Sequence, residues 1–283
     1  MLRISADSGR HGRRAGPAVS ARNAWAVGGT ADQPYILGWN GTIWRQVPVP
    51  KKSVPGELLG ITVVSAKDAW AVGNANGALL LHWGGAGWHE VSNRWQPEGG
   101  SLWGVAARSA RDVWAVGTAG FNSLILRWNG VAWTRLGGPR YGRWGFKIQG
   151  IAMPSPNLAW LVGQAKDGLP LILRWNGTRL QPMPRPKPLV GGGLSSVSAV
   201  SARQAWAVGT GDFHGLSVHT WILRWLGRGW RKVPSPAGRV EGQLIGVVAR
   251  SVTDAWGVDF TGFGFGDGSR GFILHWMARL GAR

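Results

Sequence analysis

Thirteen acidic residues, six histidines and two tyrosines are all the carboxylates, imidazoles and phenols that this 283-residue chain's side chains offer. Cysteine is absent, which removes disulfides and thiolate metal sites. Asp212 and His214, with His219, share residues 209–220 (GTGDFHGLSVHT). Carboxylate and imidazole are metal ligands, yet this spacing matches no recognised ligand pattern, so no metal and no cofactor are expected. The glycines of residues 257–271 (GVDFTGFGFGDGSRG) invite a phosphate-loop reading. The following Lys-Ser/Thr is missing and no helix is predicted after them, so the segment reads as a surface loop tipped by Phe263, Phe265 and Arg270.

Stacking chemistry is better supplied. Trp95 follows Arg94 in residues 92–100 (SNRWQPEGG), and Tyr141, Arg143 and Trp144 lie in residues 137–146 (GGPRYGRWGF). Exposed rings beside a guanidinium stack on sugar faces or bases, or anchor a protein interface. These rings are expected to be partly exposed. An enzyme would need convergent carboxylates, and those near the same loops are Glu57, Glu98, Asp212, Glu241, Asp259 and Asp267.

The elements that must hold these residues are set by a repeat. Twenty Trp against two Tyr is a skew that asks for one Trp-containing unit used many times. The phrase Ala-Trp-Ala-Val-Gly and its variants place Trp25, Trp70, Trp114, Trp160, Trp206 and Trp256 at spacings of 44–50 residues. A second set follows at Trp39, Trp83, Trp128, Trp175, Trp225 and Trp276, and a third at Trp44, Trp88, Trp133 and Trp230, with Leu180 in the fourth unit. Each unit reads as four short strands: an apolar first strand, a Ser-containing turn, the Ala-Trp-Ala-Val-Gly strand, a variable loop, then a third strand joined to the fourth by Asn-Gly or its equivalent. Six such units predict an all-β chain, a β-propeller of six four-stranded blades, or a fragment of a seven- or eight-bladed one. The domain is a single propeller over residues 1–283, with residues 1–14 either disordered or contributing to ring closure. The repeated Trp belong to the inter-blade core. The turn serines Ser20, Ser65, Ser109, Ser155, Ser201 and Ser251 recur in every unit, and an active site normally needs a residue once. They are read as turn-fixing, as are Asn23, Asp68, Asp112 and Asp254 three residues on. Two Asn-x-Thr triplets, at Asn40 and Asn176, fall on the repeated Asn-Gly turn, which explains them without glycosylation.

Net charge is +19, with 25 Arg among the 32 basic residues. Such a charge favours polyanions, although the basic residues are scattered rather than blocked. No stretch approaches the length of a membrane span, and the basic, polar N-terminus lacks the apolar core of a secretory signal.

The phrases Asp-Ala-Trp-Ala-Val-Gly, Leu-His-Trp or Leu-Arg-Trp, and Asn-Gly-x-x-Trp resemble the repeats of functionally uncharacterised, Trp-rich bacterial propellers, commonly exported. More distantly the units resemble Asp-box (BNR) propellers, which include sialidases and Ycf48-type photosystem assembly factors. Trp39-Asn40-Gly41-Thr42-Ile43-Trp44 keeps the Gly and final Trp of that hairpin and lacks its Asp. The resemblance implies the fold and an exported location, and little about function, because these propellers host unrelated activities. A sialidase would need a Tyr nucleophile with a Glu partner, and neither Tyr35 nor Tyr141 has one nearby in sequence.

The reading is a monomeric, non-enzymatic binding or scaffold propeller that engages a glycan or protein through its variable-loop face. The alternatives are an Asp-box-type glycan hydrolase or lyase with an atypical site, and polyanion binding by overall charge, which would collapse with salt.

Overall fold

The computed structural model describes residues 14–20, 23–30, 33–95, 99–120, 122–138, 146–187, 191–214, 217–235, 243–260 and 273–277. Apart from one short 3-10 turn at Lys51–Ser53, their regular structure is entirely strand. No helix among them is long and apolar enough to cross a membrane.

Each repeat folds into one antiparallel meander, at residues 14–47, 57–90, 101–135, 147–182, 192–232 and 243–277 (blades 1 to 6). Five sheets have four strands in sequence order, and the sixth has three described strands. The expected six-bladed, all-β propeller is the fold. Contacts group the chain into two units, Met1–Gly120 with Leu124–Leu136, and Phe121–Ser123 with Gly137–Arg283, so blades 1–3 belong to the first and blades 4–6 to the second.

Within the first unit the Trp of a blade's second strand is clamped by the Trp pair of the next blade. Trp25 meets Trp83 at 5.1 Å and Trp88 edge-on at 5.4 Å, while Trp70 meets Trp128 at 5.3 Å and Trp133 edge-on at 5.1 Å. The second unit repeats the arrangement: Trp160 meets Trp225 at 4.9 Å and Trp230 edge-on at 5.2 Å, and Trp206 lies 6.0 Å from Trp276. Tilted and edge-on pairs are the favourable geometries for rings with negative faces and positive edges, worth about 0.5–1.5 kcal/mol beyond burial. A single blade has no such clamp, which is why the sheets need neighbours.

Trp25, Trp70, Trp114, Trp160 and Trp206 are buried as expected, but Trp256 is 38% exposed. Its described ring contact is a flat stack on His275, with centroids 3.8 Å apart.

The Ser-turns form as expected. Ser65, Ser109, Ser201 and Ser251 each accept the backbone N–H two residues on, at 3.1–3.3 Å. The aspartates depart from their expected turn role and reach across the sheet instead. Asp68 bonds His82 at 2.9 Å, and Asp254 bonds His275 at 2.8 Å. Asp112 accepts from Arg127 at 3.1 Å and from the Trp114 indole at 3.2 Å. The third-strand residue so held lies over the blade's own Trp, as His82 does over Trp70 and Arg127 over Trp114.

Candidate binding site

Each blade presents two ends. The Ser-turn and the third-to-fourth-strand hairpin emerge together, tied by the third-strand indoles: Trp83, Trp128 and Trp225 donate to the turn carbonyls of Ala66, Ala110 and Ala202 at 3.1–3.2 Å. The Asn40, Asn129 and Asn176 side chains each accept two backbone amides of their hairpin, closing a four-residue loop. The opposite end carries the loops after the second and fourth strands, where length and composition vary.

The structure corrects the expectation for Trp95. It is 4% exposed and packs with Trp70, Leu80, Leu102 and Leu124 in the core of the first unit. The cause is Asn93, which donates to the Ala78 carbonyl at 3.0 Å and accepts the Trp95 N–H at 3.2 Å, folding the segment back onto blade 2. Arg94 stays exposed, with its guanidinium 5.1 Å from the centre of the Trp95 ring. The ring is therefore a platform for its own arginine and is closed to a ligand.

Asp212 and His214 also change setting. They lie on the second strand of blade 5, Gln204–His214, which pairs with Ser217–Trp225 up to His214↔Ser217. The expected long loop is thus an extended hairpin. At its base Trp221, fully buried and outside the repeated positions, covers Gly211 so closely that a Cβ there would sit 2.2 Å from the ring. The side chains of Asp212 and His214, and residues Tyr141, Arg143, Trp144, Phe263, Phe265 and Arg270, lie outside the described positions. Among the described residues no group of three or more His, Asp or Glu could hold a metal.

The variable end of blade 4 holds a pocket of about 590 Å³, lined by none of the residues expected from sequence to bind. Pro170, Leu171, Ile172, Pro182 and Met183 line it, with Lys166, Asp167 and Arg185 at its polar edge. A tight turn builds one wall: Ala165 N–H bonds the Leu169 carbonyl at 2.8 Å, and Asp167 accepts the Leu169 N–H at 3.1 Å. The other wall follows the fourth strand, where Met183 N–H bonds the Ile172 carbonyl at 2.9 Å. Arg185 crosses between them, placing both terminal nitrogens 3.2 Å from one Asp167 oxygen. Both partners are exposed, so the pair adds about 0–1 kcal/mol and opens at little cost. The lining combines an apolar floor with three charged side chains, Lys166, Asp167 and Arg185, at its edge. The signals in sequence were the turn formers Lys166-Asp167-Gly168 and the proline-spaced run Pro182-Met183-Pro184-Arg185-Pro186.

No known protein family matches the sequence, and no curated protein is similar enough to count as a relative. Solved structures do share the fold. A Ycf48 structure bound to D1 peptide is 12% identical, with a TM-score of 0.53 over 99% of both chains. The SapL1 lectin in complex with alpha methyl fucoside is 13% identical, with a TM-score of 0.59 over 94% of this chain and 96% of that one. A GH74 xyloglucanase from Xanthomonas campestris is 12% identical, with a TM-score of 0.64 over 93% of this chain and 46% of the enzyme. At such identities the likeness is one of fold.

Proposed function

We propose that this propeller is a non-enzymatic binding protein whose variable-loop end takes up a segment of another protein, with the blade 4 pocket as its anchor. The observation that carries this reading is the pairing of an apolar floor (Leu171, Ile172, Met183) with an exposed, exchangeable Asp167–Arg185 edge. A peptide side chain fills the floor, and its backbone or charged groups exchange with the edge pair. Stacking on a sugar face has no partner here, because the lining holds no aromatic side chain. The Ycf48 structure with its D1 peptide supports the plausibility of peptide binding on this fold.

The test is a paired peptide and glycan array probed with the full chain and with Met183→Glu. The expected result is peptide binding that Met183→Glu weakens at least about tenfold, a loss of about 1.4 kcal/mol or more, with an unchanged near-ultraviolet spectrum. The second reading, glycan binding through Tyr141, Trp144 and the blade 6 loop, takes over if only glycans bind and Trp144→Ala removes that binding.

A further inference from the structure

The Ser-turn end, opposite the pocket, has its own chemistry in the second unit. Arg203 stands in the blade 5 turn, Arg228 in the blade 5 hairpin and Arg250 at the blade 6 turn, all exposed. Val200, Leu226 and Val252 are exposed beside them, at 38%, 45% and 40%. Blades 5 and 6 are hydrogen-bonded neighbours at this end, which brings their turns and the blade 5 hairpin side by side. The Arg203 stem lies against Gly227, where a Cβ would be 3.6 Å from Arg203 Cβ and Cγ, and this seats the Leu226–Arg228 tip on the turn. Arg224 donates to the Val252 carbonyl, and Ser198 accepts the Ala249 N–H at 3.0 Å, which joins blade 5 to blade 6 at this end.

The repeat's own carboxylate is missing where it would neutralise these cations. Blades 2, 3 and 6 carry Asp68, Asp112 and Asp254 after the turn, whereas blades 4 and 5 carry Leu158 and Gln204. Asp254 is held by His275 at 2.8 Å and reaches Arg250 only at 4.0 Å. The result is a cationic patch with aliphatic tips and no unengaged carboxylate among the described residues of this end.

We propose that this face docks on an anionic lipid bilayer, with Arg203, Arg228 and Arg250 on phosphate headgroups and Val200, Leu226 and Val252 in the interfacial layer. Guanidinium groups match phosphate oxygens two at a time. The aliphatic tips favour a bilayer over nucleic acid, because a phosphodiester backbone offers them nothing to bury against. Juxtaposed cations and apolar tips are the pairing that reads a charged interface.

The experiment is co-sedimentation of the full chain with vesicles of phosphatidylcholine alone and with 30 mol% phosphatidylglycerol, at rising salt, with a 20-base-pair duplex as the competing probe. The wild type is expected to bind only the anionic vesicles and to release with salt. Three arginines at about 1 kcal/mol each near an anionic surface convert to on the order of a hundredfold weaker partition for Arg203→Ser/Arg228→Ser/Arg250→Ser. Leu226→Ser/Val252→Ser, which keeps every charge, is expected to weaken partition severalfold. The charge-matched control Lys51→Ser/Lys147→Ser/Lys187→Ser, at the variable ends of blades 1 and 4, is expected to change it less than about threefold. Equal losses in the two triple variants would overturn the proposal in favour of overall charge. Tighter binding to the duplex than to vesicles, indifferent to Leu226→Ser/Val252→Ser, would overturn it in favour of nucleic acid.

Discussion

At the scale of single residues, Trp serves two purposes that look identical in one-dimensional sequence. Trp70 is clamped between Trp128 and Trp133 because it sits at a repeated position. Trp95 and Trp221 are outside the period and are equally buried, one through the Asn93 fold-back and one over Gly211. Removing an indole from either environment leaves a cavity that the surrounding β-sheet cannot close. Trp95→Ala and Trp70→Ala are both expected to destabilise the protein by roughly 3–5 kcal/mol, read from urea midpoints at constant m-value. An unchanged midpoint for Trp95→Ala would return that ring to the surface and to the list of ligand contacts.

At the scale of elements, one blade differs from the next mainly at its ends. The hairpin between third and fourth strands is built from an Asn that accepts two amides and a Gly with positive φ, as with Asn129 and Gly130 at φ 99°. The same glycine leaves room for the turn residue of its blade: a Cβ on Gly130 would lie 2.7 Å from Arg111 Cγ. Gly130→Ala combines a disfavoured backbone region with that collision, and is expected to cost about 1–3 kcal/mol in unfolding free energy. Blade 2 uses Gly84-Gly85 in place of Asn-Gly, with Gly85 at φ 94°, so its hairpin lacks the side-chain cap while keeping the conformation. At blade 5 the second and third strands keep pairing as far as His214↔Ser217, so a segment that reads as a long loop is an extended hairpin.

At the scale of the whole molecule, the two units each contain three blades, and the repeat runs through both without a change of composition. The chain is expected to unfold as one propeller domain. Tryptophan fluorescence and far-ultraviolet circular dichroism should trace a single coincident urea transition. Two separated transitions would mean that residues 1–136 and 137–283 fold independently. The charge of +19 also has a spatial pattern at this scale. Most acidic residues fall by sequence on the variable end, while the carboxylates of the described Ser-turn end are bound to His or Arg, so the two ends present different chemistry.

The fold is legible in the amino-acid order, because a β-propeller is written in local terms: a Trp spacing of 44–50 residues, Ser-turns and Asn-Gly hairpins that recur in register. Each signal depends only on neighbours a few residues away, and six repetitions remove the ambiguity of any one. The candidate surfaces depend on contacts between residues far apart in the chain. Whether Trp95 faces water depends on the Ala78 carbonyl, 17 residues earlier, which Asn93 reaches in the folded chain. The blade 4 pocket joins Lys166 and Asp167 to Arg185 across a hairpin, and the Arg203–Leu226–Val252 surface joins two blades through Arg224 and Ser198. Such groupings follow from strand register and blade packing, and they leave no periodic mark because the residues that compose them occur once.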